Sequence, residues 1–385
     1  MPRWLQFALF ISVFLSIYAV FHFYLYTRIV AMLGLTAPRA LWTLRIFIIV
    51  MIFSFVLSRM LLSWQLNWLS RAAYWAACLW MGFALYIMLC AAVAHLFTGV
   101  LMVTGLWNRL ETALGFSPGR LLFVAVTAVA LALSAAAVRE ARGDFKITRL
   151  DVPVKNAAPE LDGFTIVQIS DIHLGVLVGE EQCRKIVDAV NAEHPDLLLI
   201  TGDLVDENAD RLLALADPLR RVNARYGMFA VTGNHEYYAG APQVIKHAAT
   251  LGIRFLQNEK IVFPNGLILY GLNDPTAARM NLPVASFEQV IGPEAQTAPA
   301  VLMWHQPVRY EQIAALGVDL TLSGHTHHGQ MWPLSYVSAQ FYPHQHGLYT
   351  IGASRFYVSG GLGTWGPPMR LASPPEMVVV KLRKM

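Results

Sequence analysis

Phe164-Thr-Ile-Val-Gln-Ile-Ser-Asp-Ile-His173 decides how this chain is read. Its first six residues are apolar or β-branched apart from one glutamine, which suits a buried strand, and the run stops at the polar pair Ser170-Asp171. The pattern then repeats. Asp196-Leu-Leu-Leu-Ile200 ends at Thr201-Gly-Asp203, and Gly227-Met-Phe-Ala-Val231 ends at Thr232-Gly-Asn-His235. Residues 182–191 and 212–223, between these runs, have helical patterning. Strand, polar turn and helix in succession predict a βαβ sheet, and such sheets bind ligands outside the carboxyl ends of their strands. Every polar turn quoted lies at such an end, so the site is located before its chemistry is considered.

Upstream of residue 140 the composition changes. The chain of 385 residues is 56% hydrophobic, and that excess is concentrated in this first part. Trp4 to Tyr26 carries no charge and at about 1.5 Å per residue is long enough to cross a bilayer. Further spans are expected at 41–62, 72–104 and 119–138. Arg45 and Arg59 fall near the ends of the second span, where their stems can snorkel to the interface. The first segment is too long and too aromatic for a cleaved signal peptide, and three more spans follow it. His22 and His95 lie inside apolar segments and are expected to be neutral and hydrogen-bonded to a neighbouring helix; no acid lies within a span to form a proton relay.

Charge is also unevenly placed. Of 29 basic and 25 acidic residues, eight arginines and the single acid Glu111 precede Arg139, leaving 21 basic and 24 acidic residues beyond. The net +4 therefore reports membrane-flanking arginines, and nucleic acid is not expected as the main partner. Four spans put both ends of the bundle on one side. Arg3, Arg59, Arg71, Arg139, Arg142, Lys146 and Arg149 flank that side, against Arg28, Arg39, Arg45, Arg109 and Arg120 on the other. Seven against five favours a cytoplasmic catalytic part. Cys78, Cys90 and Cys183 have no paired spacing and are read as inert thiols.

Ten of the 12 histidines fall between His173 and His346. They recur in short polar motifs: Asp171-Ile-His173, Gly202-Asp203, Gly233-Asn234-His235-Glu236, Trp304-His305 and Gly324-His325-Thr-His327. Any one would be weak evidence, but five in this order, each closing an apolar run, form a constellation. Carboxylate, imidazole and amide donors suit Mn, Fe or Zn, and a pair of divalent ions can clamp a phosphoryl group.

Over residues 164–381 this order resembles the calcineurin-like metallophosphoesterase superfamily. The resemblance implies an α/β fold, an αββα metallophosphoesterase sandwich over 161–385, which follows the about four transmembrane helices read above over 1–140 and a connector and first strand at 141–160. It implies two divalent metal ions (Mn, Fe or Zn), one held by Asp171, His173 and His327, the other by Asn234, His305 and His325, with Asp203 bridging them. It further implies attack on phosphorus by a hydroxide between the two ions, while His235, a non-ligand, donates a proton to the leaving oxygen.

Gly271-Leu-Asn-Asp274, Gly324-His-Thr-His-His-Gly-Gln330 and the stretch from Gly361-Leu-Gly to Met369-Arg370 look like a membrane-anchored bacterial branch related to UDP-2,3-diacylglucosamine hydrolases. Two departures are visible: His328 stands where a second glycine is usual, and Gly360 where a basic or polar residue often precedes Gly-Leu-Gly. Asn273 and Arg370 are candidate phosphate-positioning residues, since Arg can hold an anionic oxygen bidentately. The aromatic segment 331–356 is a candidate cap for an acyl or prenyl chain, although packing aromatics of a terminal subdomain are the preferred reading. The anchor suggests membrane lipids as surroundings, a lipid-linked phosphoester or pyrophosphate as substrate, and the bacterial inner membrane as location. An anchored phosphodiesterase or phosphatase for soluble nucleotides or phosphoproteins stays open, as does a non-catalytic sensor. The complete ligand set weighs against the sensor.

Overall fold

The computed structural model describes residues 3–116, 118–206 and 208–385; Met1, Pro2, Ser117 and Glu207, which fall within the expected units, lie outside it. The chain divides into two compact units. One comprises residues 1–136 with 366–368, the other 137–365 with 369–385.

The first unit is helical: α1 (Arg3–Leu33), α2 (Pro38–Trp64), α3 (Trp68–Val103), α4 (Leu106–Leu114) and most of α5 (Gly119–Arg142). Among the described residues, four helices contain a stretch long and apolar enough to cross a membrane: Leu15–Leu33, Pro38–Trp64, Trp68–Val103 and Gly119–Arg142. The expected first span at 4–26 thus lies in a longer helix, because nothing in Thr27 to Leu33 breaks it. Gly105, at φ +71°, ends the third and starts α4, whose nine residues are too short to span. His22 is fully buried; its Nδ1 faces the Tyr18 carbonyl at 2.8 Å and its Nε2 faces the Trp80 indole N–H at 2.9 Å. A carbonyl only accepts and an indole only donates, so this ring is neutral and satisfied. His95 Nε2 pairs with Tyr24 Oη, again across α1 and α3.

The second unit stacks two six-stranded sheets. Its strands are β1 (Lys146–Val154), β2 (Thr165–Ile169), β3 (Leu197–Ile200), β4 (Met228–Ala230), β5 (Ile253–Phe255), β6 (Glu259–Val262), β7 (Ile268–Gly271), β8 (Ala300–Met303), β9 (Leu320–Ser323), β10 (Gly347–Ile351), β11 (Ser354–Val358) and β12 (Glu376–Lys384). One sheet runs β1-β12-β2-β3-β4-β5, the other β10-β11-β9-β8-β7-β6. β2 through β5 are parallel, as are β7, β8, β9 and β11.

Alternation along the strands sets the layers. Ile166, Leu197 and Leu199 meet Leu269, Val301, Met303 and Leu320 in the core between the sheets. Their neighbours Val167, Leu198 and Ile200 face outward onto Ile186, Val187 and Val190 of α6 (Glu180–Ala192). On the opposite face, Ile268, Tyr270 and Leu302 pack on Phe287 and Ile313. Both faces of each sheet are buried, which explains the near-continuous apolar runs and gives an αββα sandwich.

One helical expectation fails in detail. Residues 212–223 do not form one helix; α7 (Asp210–Ala214) and α8 (Ala216–Leu219) replace it. Pro218 has no N–H to donate to the carbonyl of Ala214, so a continuous helix would lose a bond and meet the pyrrolidine ring. Next, α9 (Asn234–Ala239) opens directly on the Gly-Asn-His turn, and α10 (Ala241–Ala249) follows.

Candidate metal centre

The parallel strands of the two sheets deliver their carboxyl ends to one place. Asp171 follows β2, Asp203 follows β3, Asn234 follows β4, His305 follows β8 and His325 follows β9. The backbone there is unusual: Asp171, His173, Asp203, His325 and His327 all have positive φ, between 49° and 74°. Non-glycine residues adopt this left-handed region at a cost, and such outliers gather at functional sites.

Three groups of ligand-type atoms result, two of which share no residue. Asp171, His173 and His327 form one, with His173 Nε2 3.0 Å from His327 Nε2, and His327 Nε2 3.5 Å from Asp171 Oδ1. Asp203, His305 and His325 form the other, with His305 Nε2 3.4 Å from Asp203 Oδ2 and 3.3 Å from His325 Nδ1. Asp203 Oδ2 also lies 3.8 Å from His173 Nε2, so one carboxylate faces both groups. Asn234 reaches the same strand ends with its Oδ1 buried and without a hydrogen-bond partner.

The surrounding shell fixes these rings. His305 Nδ1 donates to the carbonyl of Thr201 at 2.7 Å, which turns its Nε2 toward Asp203. His325 Nε2 meets Tyr342 Oη at 2.8 Å, leaving Nδ1 for the centre. Glu236, buried in α9, accepts from the backbone N–H groups of Asp203, Leu204 and Gly233 at 2.9, 2.8 and 2.6 Å. It thereby ties the β3 turn to the β4 turn. A side chain on Gly233 would bring Cβ to 2.1 Å from Asp203 Oδ1, so only glycine lets the two turns approach so closely.

Charges follow from burial and neighbours. Burial pushes Asp171 up. Burial opposes the His305 imidazolium, but Asp203 holds it well above the ordinary histidine range. Burial and the His305 charge press His325 down to about 3. His305 as a proton-bearing ring against Asp203 shows that this arrangement favours positive charge at its centre. Divalent ions satisfy the same demand while displacing such protons.

His235 forms the third group with His173 and Asp203, which belong one to each of the other two. Its backbone N–H donates to Asp203 Oδ1 at 2.8 Å, and its Nδ1 lies 3.1 Å from the carbonyl of Asp206 and 3.3 Å from Asp206 Oδ1. Burial alone would lower its pKa, but Asp206 and Asp203 raise it to about 9. Asp206, which also faces His173 Nδ1 at 3.5 Å, is held well below the usual carboxylate range by these two histidines, against the effect of burial. The sequence reading missed Asp206. Its signal was Gly202-Asp-Leu-Val-Asp206, a second acid three residues beyond Asp203 at the same strand end.

The two substrate-contact candidates lie differently. Arg370 is fully buried, its Nε bonded to Gly363 O, its Nη1 to Ser373 O, and its Nη2 to Gly360 O and Gly363 O. Nη2 also lies 3.1 Å from His327 Nδ1. A guanidinium so committed has no face left for a phosphate, and the expected phosphate contact is corrected to a strut beneath His327. Asn273 is half-buried just beyond β7, with Oδ1 3.5 Å from Thr232 Oγ1. His328 stacks on His346 at 4.4 Å, and His346 pairs with the buried Glu376 at 3.1 Å, so the extra imidazole packs against a polar pair.

The profile of the calcineurin-like phosphoesterase family matches residues 164–329, covering every ligand candidate above. An uncharacterized metallophosphoesterase of Aquifex aeolicus is 35% identical over 220 residues, 57% of this chain and 84% of that protein. This chain belongs to the calcineurin-like metallophosphoesterases. An uncharacterized metallophosphoesterase of Helicobacter pylori strain J99 is 36% identical over 222 residues, 56% of this chain and 59% of its own length. A Danio rerio transmembrane protein with metallophosphoesterase domain is 34% identical over 251 residues, 62% of this chain and 57% of its own length. The chain thus spans somewhat under three-fifths of these last two relatives.

Metallophosphoesterases of this kind use two divalent metal ions, and the residues present fit such a pair. The test is the orphaned Asn234 Oδ1, together with imidazole nitrogens that converge at 3.0 and 3.3 Å although each offers a lone pair or a proton to the same space. A cation resolves both. The chain therefore carries a metallophosphoesterase domain, preceded by four helices long and apolar enough to cross a membrane.

Proposed function

We propose that this metallophosphoesterase hydrolyses a phosphoester or pyrophosphate bond in a lipid-linked substrate. The observation that carries the reading is the shared carboxylate: Asp203 faces both ligand clusters and accepts from the backbone of His235, the one histidine left over. In this reading Asp171, His173 and His327 hold one ion, Asn234, His305 and His325 the other, and Asp203 touches both. Bound, the pair would neutralise phosphoryl oxygens and supply an activated water at neutral pH.

The chain's own residues do the rest. Asp206 holds His235 Nδ1, so Nε2 is the atom that delivers a proton to the departing ester oxygen. With its pKa raised to about 9, His235 carries that proton at pH 7; cations nearby pull the value back toward neutrality. A proton donor oriented this closely favours catalysis over a purely sensory role.

Two features support a lipid. One is the anchor, which confines the site near a membrane. The other is the apolar rim: Trp365, 59% exposed, lies 6.5 Å from the His235 ring, and the helix Leu334–Phe341 leaves Tyr336, Val337 and Phe341 in solvent just before Tyr342, the partner of His325. The seven-to-five excess of flanking basic residues supports a cytoplasmic site on a bacterial inner membrane.

The test is Mn-dependent turnover of bis-p-nitrophenyl phosphate beside a phosphorylated lipid in mixed micelles, with Asp203→Ala as control. Lipid turnover well above that of soluble nucleotides supports the proposal. Equal efficiency on both overturns the lipid substrate, and activity surviving Asp203→Ala overturns the metal assignment.

A further inference from the structure

The helical unit contains a cavity of about 160 Å³ that neither the metal centre nor the anchor function uses. It opens among α1, α3 and α5, at the end of the bundle where α1 and α3 finish and α5 begins. Arg28, Met32, Met102, Trp107 and Gly119 line the end nearest the helix termini, and Phe21, Ile87 and Val126 line the other. Arg28 stands five residues, or about 7.5 Å, short of the end of α1, close enough for its long side chain to snorkel to the interface of a bilayer that the helix crosses. From Arg28 to Phe21 the wall continues for about 10 Å of apolar surface.

The polar end is organised. The Arg28 guanidinium lies 5.2 Å from the Tyr24 ring centre, and Tyr24 Oη is joined to His95 Nε2 on α3. No carboxylate pairs with Arg28 among the described residues, and Glu111 is the one acid in the first 138 positions of the sequence. The contrast with His22 is informative: that histidine is sealed between Tyr18 and Trp80, whereas His95 and Tyr24 both line the cavity. An arginine that can snorkel to the interface beside an apolar slot matches an amphiphile carrying a negative head, since burial of its tail and pairing of its charge are met together.

We infer that this cavity is a binding site for one anionic phospholipid, its phosphate on Arg28 and Tyr24 and an acyl chain lying along Leu25, Phe21 and Ile87. The site is structural or regulatory and independent of the phosphoesterase chemistry, so it stands whether or not the substrate is a lipid. A zwitterionic lipid places a choline beside Arg28 and gains less. One arginine–headgroup contact near the surface corresponds to about a fivefold preference for the anionic lipid.

The full chain in nanodiscs of mixed phosphatidylglycerol and phosphatidylcholine, released for native mass spectrometry, tests this. The wild-type protein should retain one phosphatidylglycerol in about fivefold excess over phosphatidylcholine. Arg28→Gln should reduce that ratio to about one while still retaining lipid. Ala94→Trp, which fills the cavity wall, should abolish retention of both, whereas Val93→Trp, on an exposed neighbouring position, should change neither. Metal-dependent turnover of a soluble ester reports whether each variant is folded. An unchanged ratio in Arg28→Gln, or lipid retained by a folded Ala94→Trp, overturns the site. If Ala94→Trp loses turnover as well, the Arg28→Gln ratio alone decides.

Discussion

Replacing Asp206 with asparagine tests the proposed proton donor while keeping that donor and every proposed ligand in the chain; Asp206 also faces His173 Nδ1, so metal content is measured alongside. Asp206 Oδ1 lies 3.3 Å from His235 Nδ1, and its carbonyl lies 3.1 Å from the same atom. The carboxylate is the foremost reason that His235 is raised from 6.5 to about 9 despite its burial. That rise corresponds to about 3 kcal/mol at 1.36 kcal/mol per unit. Asp203 supplies part of it and survives the substitution, so roughly half, about 1.5 kcal/mol, is at stake in Asp206→Asn. For a step that needs the proton in flight this is about a 10-fold loss in kcat, approaching the 10²-fold lower range of general-acid effects if the ring also loses its orientation. The sign for pH is set by the direction of the shift. A depressed His235 pKa makes the proton unavailable sooner, so the alkaline limb of the kcat profile moves to lower pH.

The decisive assay compares leaving groups. p-Nitrophenolate departs as a stable anion and needs little protonation, whereas an alkoxide needs it fully. Asp206→Asn should therefore lower turnover of an alkyl phosphodiester about 10-fold or more, and leave bis-p-nitrophenyl phosphate within about 3-fold of wild type. Equal losses on both esters, with metal content unchanged, would refute the role of Asp206 and His235 as a proton-delivery pair.

Other perturbations follow from the same geometry. Asp203→Ala removes the carboxylate that faces both clusters, so metal content measured by plasma mass spectrometry should fall from two ions toward one or none, with activity lost. His235→Ala should keep its metals yet lose about 10²-fold or more on alkyl esters. Arg370→Met removes every donor beneath His327 and leaves several buried carbonyls unpaired. It should cost roughly 3 kcal/mol of stability by denaturant titration, with KM for a soluble ester unchanged. A raised KM at unchanged stability would restore Arg370 as a phosphate contact. Glu376 is driven up by burial yet held at about 2 by His346 and Thr148, so its contribution is complete above the unfolded value near 4.3 and is lost as pH falls toward 2. Glu376→Gln should flatten acid unfolding in that window.

Much of this was legible before the structure because burial on both faces forces near-continuous apolar strands. Phe164 to Ile169 and Leu197 to Ile200 could only be strands of an enclosed sheet, and their polar stops had to mark its ligand edge. Residues whose role depends on where they are aimed were not legible. Arg370 follows Pro-Pro-Met and reads as a loop arginine, yet it lies at 0% exposure with carbonyls on every side. Asp206 reads as one acid among several in a polar loop, because its partners His173 and His235 arrive from different strand ends. The break between α7 and α8 rests on Pro218, a local signal outweighed by helical patterning over 212–223.

The positive φ angles at five of the ligand candidates tie these two cases together. A side chain on an ordinary strand end can be re-aimed by a rotamer change, but one on a left-handed residue is aimed by the backbone itself. Each such residue carries a conformational cost of order 1 kcal/mol, so the turns hold only where other bonds over-determine them. Glu236 supplies those bonds at the β3 and β4 turns, and Arg370 supplies them beneath His327. Neither is a ligand, and both are buried charges whose desolvation is tolerated only because every lone pair or N–H they own is used. The metal centre is thus held in place by two non-ligand ions, one accepting from and one donating to backbone.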